Sequence, residues 1–190
     1  ELATEIVATL AFSAMQNNDK IGALLFTDRV EKFIPPGKGR RHVLYIVREL
    51  LDFEPQGRRT NVGVAMEYLM RVMTKRSITF VLSDFLDTRS FDKPLQVASR
   101  KHDLIALRIY DPCMAELPDV GLIRVADAET GHEQYVDTSS RAVRRQLRQW
   151  WTDSQKHWEE LFKRSGAGYA AIATNGDFVK PLMNLFARRG

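Results

Sequence analysis

Ile78-Thr79-Phe80-Val81-Leu82-Ser83-Asp84 is the stretch on which the fold turns. From Ile78 to Leu82 it is almost continuously apolar and rich in β-branched and aromatic residues, which suits a strand covered on both faces. It runs straight into Ser83-Asp84, so a hydroxyl and a carboxylate stand at the strand's carboxyl end. Downstream, a helix around Leu95 to Lys101 precedes a second apolar strand, Leu104 to Ile109, closed by Asp111-Pro112. Upstream, Val62, Ala65, Met66, Leu69, Met70 and Met73 recur at helical spacing behind the loop Glu54 to Asn61. The core of the chain therefore alternates helix and strand.

The alternation extends to both ends. Leu2, Ile6, Val7, Leu10 and Met15 predict a helix to about residue 16, ended by Asn17-Asn18-Asp19. Ile21 to Phe26 reads as a buried strand, and the alternating Val30 to Ile34 as an edge strand stopped by Pro35-Pro36-Gly37. His42 to Leu51 returns to helical spacing. Leu122 to Val125 and Glu133 to Val136 flank the turn-rich Asp127-Ala128-Glu129-Thr130-Gly131, which predicts a hairpin excursion within about residues 118–138. Asp137-Thr138-Ser139-Ser140 offers N-cap oxygens to a long helix carrying Val143, Leu147, Trp150, Trp151, Trp158, Leu161 and Phe162, ended by Gly166 and Gly168. Tyr169 to Ala173 is the last strand and Val179 to Ala187 a closing helix. Short apolar strands joined by crossover helices predict an α/β fold, a doubly wound and mostly parallel sheet with helices on both faces. A length of 190 residues suits one such domain over residues 1–190.

Composition narrows the function classes. The chain is 44% hydrophobic and 27% charged with a net charge of +4, which is too little to argue nucleic-acid binding and too ordered a mix for disorder. No apolar run approaches the ~18 residues of a membrane helix. The lone Cys113 excludes an intramolecular disulfide and multi-cysteine metal sites, as a reducing, cytoplasmic setting predicts. The chain opens Glu1-Leu2-Ala3-Thr4-Glu5 with no methionine and no leader, so these read as internal residues of a longer protein.

In open parallel sheets the functional groups sit at the carboxyl ends of strands. Thr60, at the start of a helix behind Gly57-Arg58-Arg59, and Asp84, at a strand end, are the oxygen donors in such places. Both are hard ligands of the kind Mg²⁺ takes, with waters completing the octahedron. A Thr before a helix is equally a common N-cap, and an Asp after a strand commonly accepts turn amides. Pattern alone leaves both readings open.

The run Asn18 to Asp28, then Arg59-Thr60-Asn61 opening a helix, then Val81-Leu82-Ser83-Asp84, resembles the von Willebrand factor A fold. Tyr110-Asp111-Pro112, Glu116 to Leu122, Asp127 to Gly131 and Val136-Asp137-Thr138 are similar to its bacterial branch, the domain-of-unknown-function 58 family. The resemblance covers nearly the whole chain. It implies a Rossmann-like three-layer sheet and a metal-ion-dependent adhesion site built from three loops. Thr60 and Asp84 match the second and third loops; the first motif, Asp-x-Ser-x-Ser, and the central first strand belong upstream of the predicted first helix, before residue 1. The implied expectation is that Mg²⁺ or a similar ion binds the intact protein and not this fragment. Loss of the strand between Ile21–Thr27 and Ile78–Asp84 is expected either to let those strands close up or to promote a strand-exchanged homo-oligomer.

What the resemblance implies for function is a noncatalytic interaction module whose ion accepts a partner's carboxylate. Arg58, Arg59, Asn61 and Asp87 would set specificity, and the partner would be a MoxR-type AAA+ ATPase acting in protein maturation or assembly. An alternative is a metal-assisted phosphoester hydrolase using Asp84, Asp87 and Asp111. An RNA-binding module resting on Arg40, Arg41, Arg58 and Arg59 ranks last, since no aromatics interleave them. Gly37-Lys38-Gly39 departs from a phosphate loop, Gly166-Ala167-Gly168 precedes its strand, and the four histidines are scattered, as surface or capping residues are. Trp150, Trp151 and Trp158 read as core plus rim, with one of the adjacent pair left partly exposed.

Overall fold

A computed structural model describes residues 2–86, 90–127 and 131–187. Their order is α1 (Leu2–Gln16), β1 (Ile21–Phe26), β2 (Val30–Gly37), α2 (Arg40–Leu51), α3 (Val62–Val72), β3 (Ile78–Ser83), α4 (Asp92–Lys101), β4 (Asp103–Tyr110), α5 (Pro112–Ala115), β5 (Leu122–Ala126), β6 (Glu133–Asp137), α6 (Arg141–Ser165), β7 (Gly168–Ala173) and α7 (Val179–Ala187). The chain divides into two compact units, Glu1–Thr74 with Asp87–Pro94, and Lys75–Leu86 with Leu95–Gly190.

In the first unit β1 and β2 form an antiparallel pair with register shifts between Ile21 and Ala23 and between Leu25 and Phe26. The prolines do not end β2, as the sequence reading expected: the strand continues through Pro35 and Pro36 to Gly37. An edge strand needs its N–H groups on one side only, so proline is tolerated there. Ile6 and Ala11 of α1 and Val43 and Ile46 of α2 are buried, and these two helices pack on each other. On α3, Val62, Gly63, Ala65 and Met66 form the buried face.

The second unit is built on a parallel sheet in the order β3-β4-β7. Ile78 pairs with Asp103 and Ser83 with Arg108, while Ile105 pairs with Gly168 and Tyr110 with Ala173. β4 is central, and Leu104, Ile105, Ala106 and Leu107 are each at most 1% exposed, so it is covered on both faces as its apolar run requires. β5 and β6 make the expected antiparallel hairpin, Leu122 opposite Asp137. Among the described residues the three ladders are separate sheets.

Four local features differ from expectation. α4 begins at Asp92, before Leu95, and α5 is a short helix that the sequence did not announce. Ser140 stands at the N-cap of α6 but its side chain makes no capping bond; the Asp137 carboxylate instead accepts from the Ser139 N–H at 3.0 Å and hydroxyl at 2.6 Å. Gly166 does end α6, in the left-handed conformation at φ 77°, whereas Gly168 opens β7.

Candidate functional site

Thr60 lies in the first unit, on a loop that two long-range bonds hold in place. The Asn61 N–H donates to the Thr27 carbonyl at the end of β1, at 2.9 Å. The Gly57 N–H donates to Glu31 Oε1, also at 2.9 Å, and the Thr27 hydroxyl donates to the same oxygen at 2.7 Å. Arg29 adds its Nε at 3.4 Å. Three donors around one carboxylate oxygen hold the Glu31 carboxyl below its ordinary range: first the Thr27 hydroxyl, then the Gly57 amide, with burial pulling the other way. The loop is thus fastened where β1 ends.

The helix cap falls one residue beyond Thr60. Asn61 is the N-cap of α3, its Oδ1 accepting from the Val64 N–H at 3.1 Å. The Thr60 hydroxyl is therefore not the capping group, and the residue is part-buried with partners of its own. Arg58 and Arg59, together with Arg40 and Arg41, are exposed on this unit. Asp87, the fourth candidate partner-binding residue, lies outside the described residues.

Asp84 lies in the second unit, one residue past β3, with its side chain exposed. Its Oδ1 accepts from the Leu86 N–H at 3.1 Å, the turn bond that an aspartate after a strand makes. Ser83 Oγ accepts from the Phe85 N–H at 3.0 Å. Phe85 takes a left-handed φ of 55°, a conformation worth roughly 1–2 kcal/mol of strain for a residue with a Cβ. Its ring is fully buried, with centroids 5.1 Å from Phe162 and 6.0 Å from Trp158 of α6. The apolar anchor offsets the strain and fixes the turn that displays Asp84.

Beneath that turn lies a residue the sequence reading passed over. Arg108 of β4 is 1% exposed, and its Nε donates to the Asp84 main-chain oxygen at 3.1 Å. The guanidinium carbon sits 4.5 Å from the Trp151 ring centroid. Burial pushes the Tyr169 phenol up, and the Arg108 charge beside it works against that rise. Arg108 Nη1 is buried with no acceptor among the described residues. Leaving such a donor unmet costs about 1–3 kcal/mol, so Arg108 is a poor stability choice for this strand. Only the single Arg in Leu104 to Ile109 hinted at it.

Asp111, named for the hydrolase alternative, caps α5 by accepting from the Cys113 N–H at 2.8 Å. It lines a cleft of about 660 Å³ with Cys113, Asp127, His132 and Trp150. Among the described residues no three His, Cys, Asp or Glu side chains are placed to hold a metal ion. The histidines are not all peripheral: His102 is 1% exposed, its Nδ1 3.0 Å from Ser77 Oγ, which corrects the expectation of surface or capping roles. Of the adjacent tryptophans, Trp150 is 43% exposed while Trp151 turns inward onto Arg108. Among the described residues no helix is long and apolar enough to cross a membrane.

The chain is similar to several known proteins. An uncharacterized protein of Mycobacterium tuberculosis strain H37Rv is 30% identical over 133 residues, which is 69% of this chain and 42% of that protein. An uncharacterized protein of Mycobacterium avium is 31% identical over 100 residues, 52% of this chain and 59% of the other. The chain thus spans only part of the length of these relatives. Two solved structures share the fold. The conserved hypothetical protein BatB from Bacteroides thetaiotaomicron superposes with TM-score 0.61 at 13% identity, over 99% of this chain and 86% of its own. An aerotolerance-related membrane protein from Bacteroides fragilis gives TM-score 0.62 at 16% identity, over 97% and 87%. The family described as "Protein of unknown function DUF58" matches residues 1–157, and the chain belongs to that family.

Proposed function

We propose that the chain is a noncatalytic protein-interaction domain of von Willebrand A type, whose Thr60 and Asp84 loops contribute to a metal-ion-dependent adhesion site in the whole protein. The parallel order β3-β4-β7 supports a doubly wound sheet. The observation that carries the reading is Asp84 itself. It stands exposed at the carboxyl end of a parallel strand, one oxygen spent on the Leu86 amide and the other without a protein partner among the described residues.

The donor chemistry fits Mg²⁺: a carboxylate from Asp84 and a hydroxyl from Thr60 are hard oxygens, and a third loop from upstream would complete the protein share. Bound Mg²⁺ supplies an open coordination position for a partner's carboxylate. Arg58 and Arg59, exposed beside Thr60, attract acidic partners; in sequence Asn61 follows Thr60, and Asp87 comes three residues after Asp84. The partner we favour is a MoxR-type AAA+ ATPase in the bacterial cytoplasm, in maturation or assembly of other proteins.

The test is divalent-ion titration of the full-length protein, followed by thermal unfolding. Mg²⁺ or Mn²⁺ should raise the Tm of the wild type and leave that of Asp84→Ala unchanged. A wild type indifferent to both ions, or an Asp84→Ala variant that still responds, overturns the reading.

A further inference from the structure

We propose that Arg108 is a positioning residue for the Asp84 carboxylate, an inference that rests on the cation-site reading above. The central strand of a parallel sheet is the place for an aliphatic side chain, and Leu104, Ile105, Ala106 and Leu107 obey that rule. Arg108, next in line, breaks it. Its guanidinium is buried on the face covered by α6, stacked on Trp151, with one nitrogen lacking any acceptor among the described residues. Packing alone does not select an arginine there, because an aliphatic residue of similar length would fill the space without a stranded donor.

Arg108 also meets the Tyr169 hydroxyl, and its bond to the main chain of another strand's end is the one that bears on the site. Nε donates to the main-chain oxygen of Asp84, 24 residues away in sequence. The same turn is held on its next residue by the buried Phe85 ring and by the Ser83 hydroxyl on the Phe85 amide. Asp84 is thereby gripped through its backbone on one side and through its neighbour on the other, which leaves its side chain to face solvent. A carboxylate that must meet an ion alongside ligands from other loops gains from such fixation, since outer partners orient the ligands that touch a metal. The contact of Arg108 is with the Asp84 backbone, and its role would be to orient that residue. The arrangement needs the planar fork of arginine: Nε is the donor while the rest of the group lies on Trp151, a geometry that a lysine ammonium does not reproduce.

Arg108→Lys and Arg108→Gln in the full-length protein test this by Mn²⁺ affinity, measured well below the Tm of each variant, beside wild type and Asp84→Ala. Both Arg108 variants should keep their helical circular dichroism and bind Mn²⁺ roughly tenfold more weakly than wild type. Wild-type affinity in folded Arg108 variants, with binding lost in Asp84→Ala, overturns the positioning role and leaves the cation site standing. A wild type that binds no Mn²⁺ overturns the cation site and the positioning role with it. Should the variants not fold, the wild type carries the decision: the Arg108 Nε–H resonance should shift on addition of Mg²⁺, and a resonance unmoved at saturating ion overturns the proposal.

Discussion

Gly57 donates its backbone N–H to Glu31 across 26 residues of sequence, and this 2.9 Å bond fastens the loop that carries Thr60 to the end of β1. The contact is close because residue 57 has no side chain. A Cβ built there would overlap the Thr27 hydroxyl and the Asp28 carboxylate. Gly57→Ala must therefore push the loop off its seat. Overpacking of this kind costs typically about 1–3 kcal/mol. Urea unfolding should show that loss, and Arg58–Arg59 should become a faster site of tryptic cleavage; an unchanged midpoint and cleavage rate would refute the fastening.

Glu31→Gln gives the same loop a pH signature. The folded carboxyl is held below its ordinary value near 4.5 by the Thr27 hydroxyl and the Gly57 amide. A carboxyl depressed on folding contributes stability that is fully present above the unfolded pKa and is lost as pH falls through the folded one. Glu31→Gln should therefore be less stable than wild type at pH 7, with the gap closing in acid below about 4.5. Unfolding curves at several pH values check this. A gap independent of pH would mean that the Glu31 charge does not hold the loop.

How much of this was legible in the sequence differs between scaffold and site. β4 could be read because a central parallel strand must be apolar along its length, and Leu104 to Leu107 are; β3 could be read from its β-branched and aromatic run, although it ends the described sheet and leaves Ile78 exposed. The end of β2 was misread because Pro35-Pro36 signals a stop only where both edges of a strand are paired. Thr60 and Asp84 could be found because each marks a junction between elements. The groups that hold their loops could not: Glu31 and Gly57 meet across 26 residues, and Arg108 and Asp84 across 24. Such pairs carry no local spacing signal. Arg108 and His102 were also hidden by composition, since a single polar residue in or beside a strand reads as an exposed one.

His102 predicts an acid limit for the second unit. It is buried, and desolvation first, then the Lys101 charge, holds its pKa below the ordinary 6.5. A buried imidazole that resists protonation makes the folded state bind fewer protons than the unfolded one. Its contribution is complete above about 6.5 and declines as pH falls from there towards the folded value. His102→Leu loses the Ser77 contact but escapes this decline, so the variant should gain on wild type between pH 7.5 and pH 5.5. Parallel unfolding midpoints for the two proteins across that range, with no convergence, would show that His102 titrates as freely as in the unfolded chain.

Phe85 offers the sharpest separation of strain from packing at the candidate site. Its backbone sits at φ 55° while its ring is fully buried against Phe162 and Trp158. Phe85→Ala keeps the unfavourable dihedral and removes the ring, so it should lose roughly 3–5 kcal/mol, a large part of a typical domain's stability. Phe85→Gly removes the ring as well but relaxes the dihedral, for which glycine carries no Cβ penalty. If the left-handed turn is strained, Phe85→Gly should be as stable as Phe85→Ala or more so, despite the greater chain entropy that glycine adds to the unfolded state. At an ordinary right-handed position the order would be reversed, with Ala ahead by about 0.5–1 kcal/mol. Denaturant midpoints of the two variants decide it. Ala ahead of Gly would mean that the Asp84 turn relaxes out of the left-handed region once the ring is gone, and that the ring alone had been holding it there.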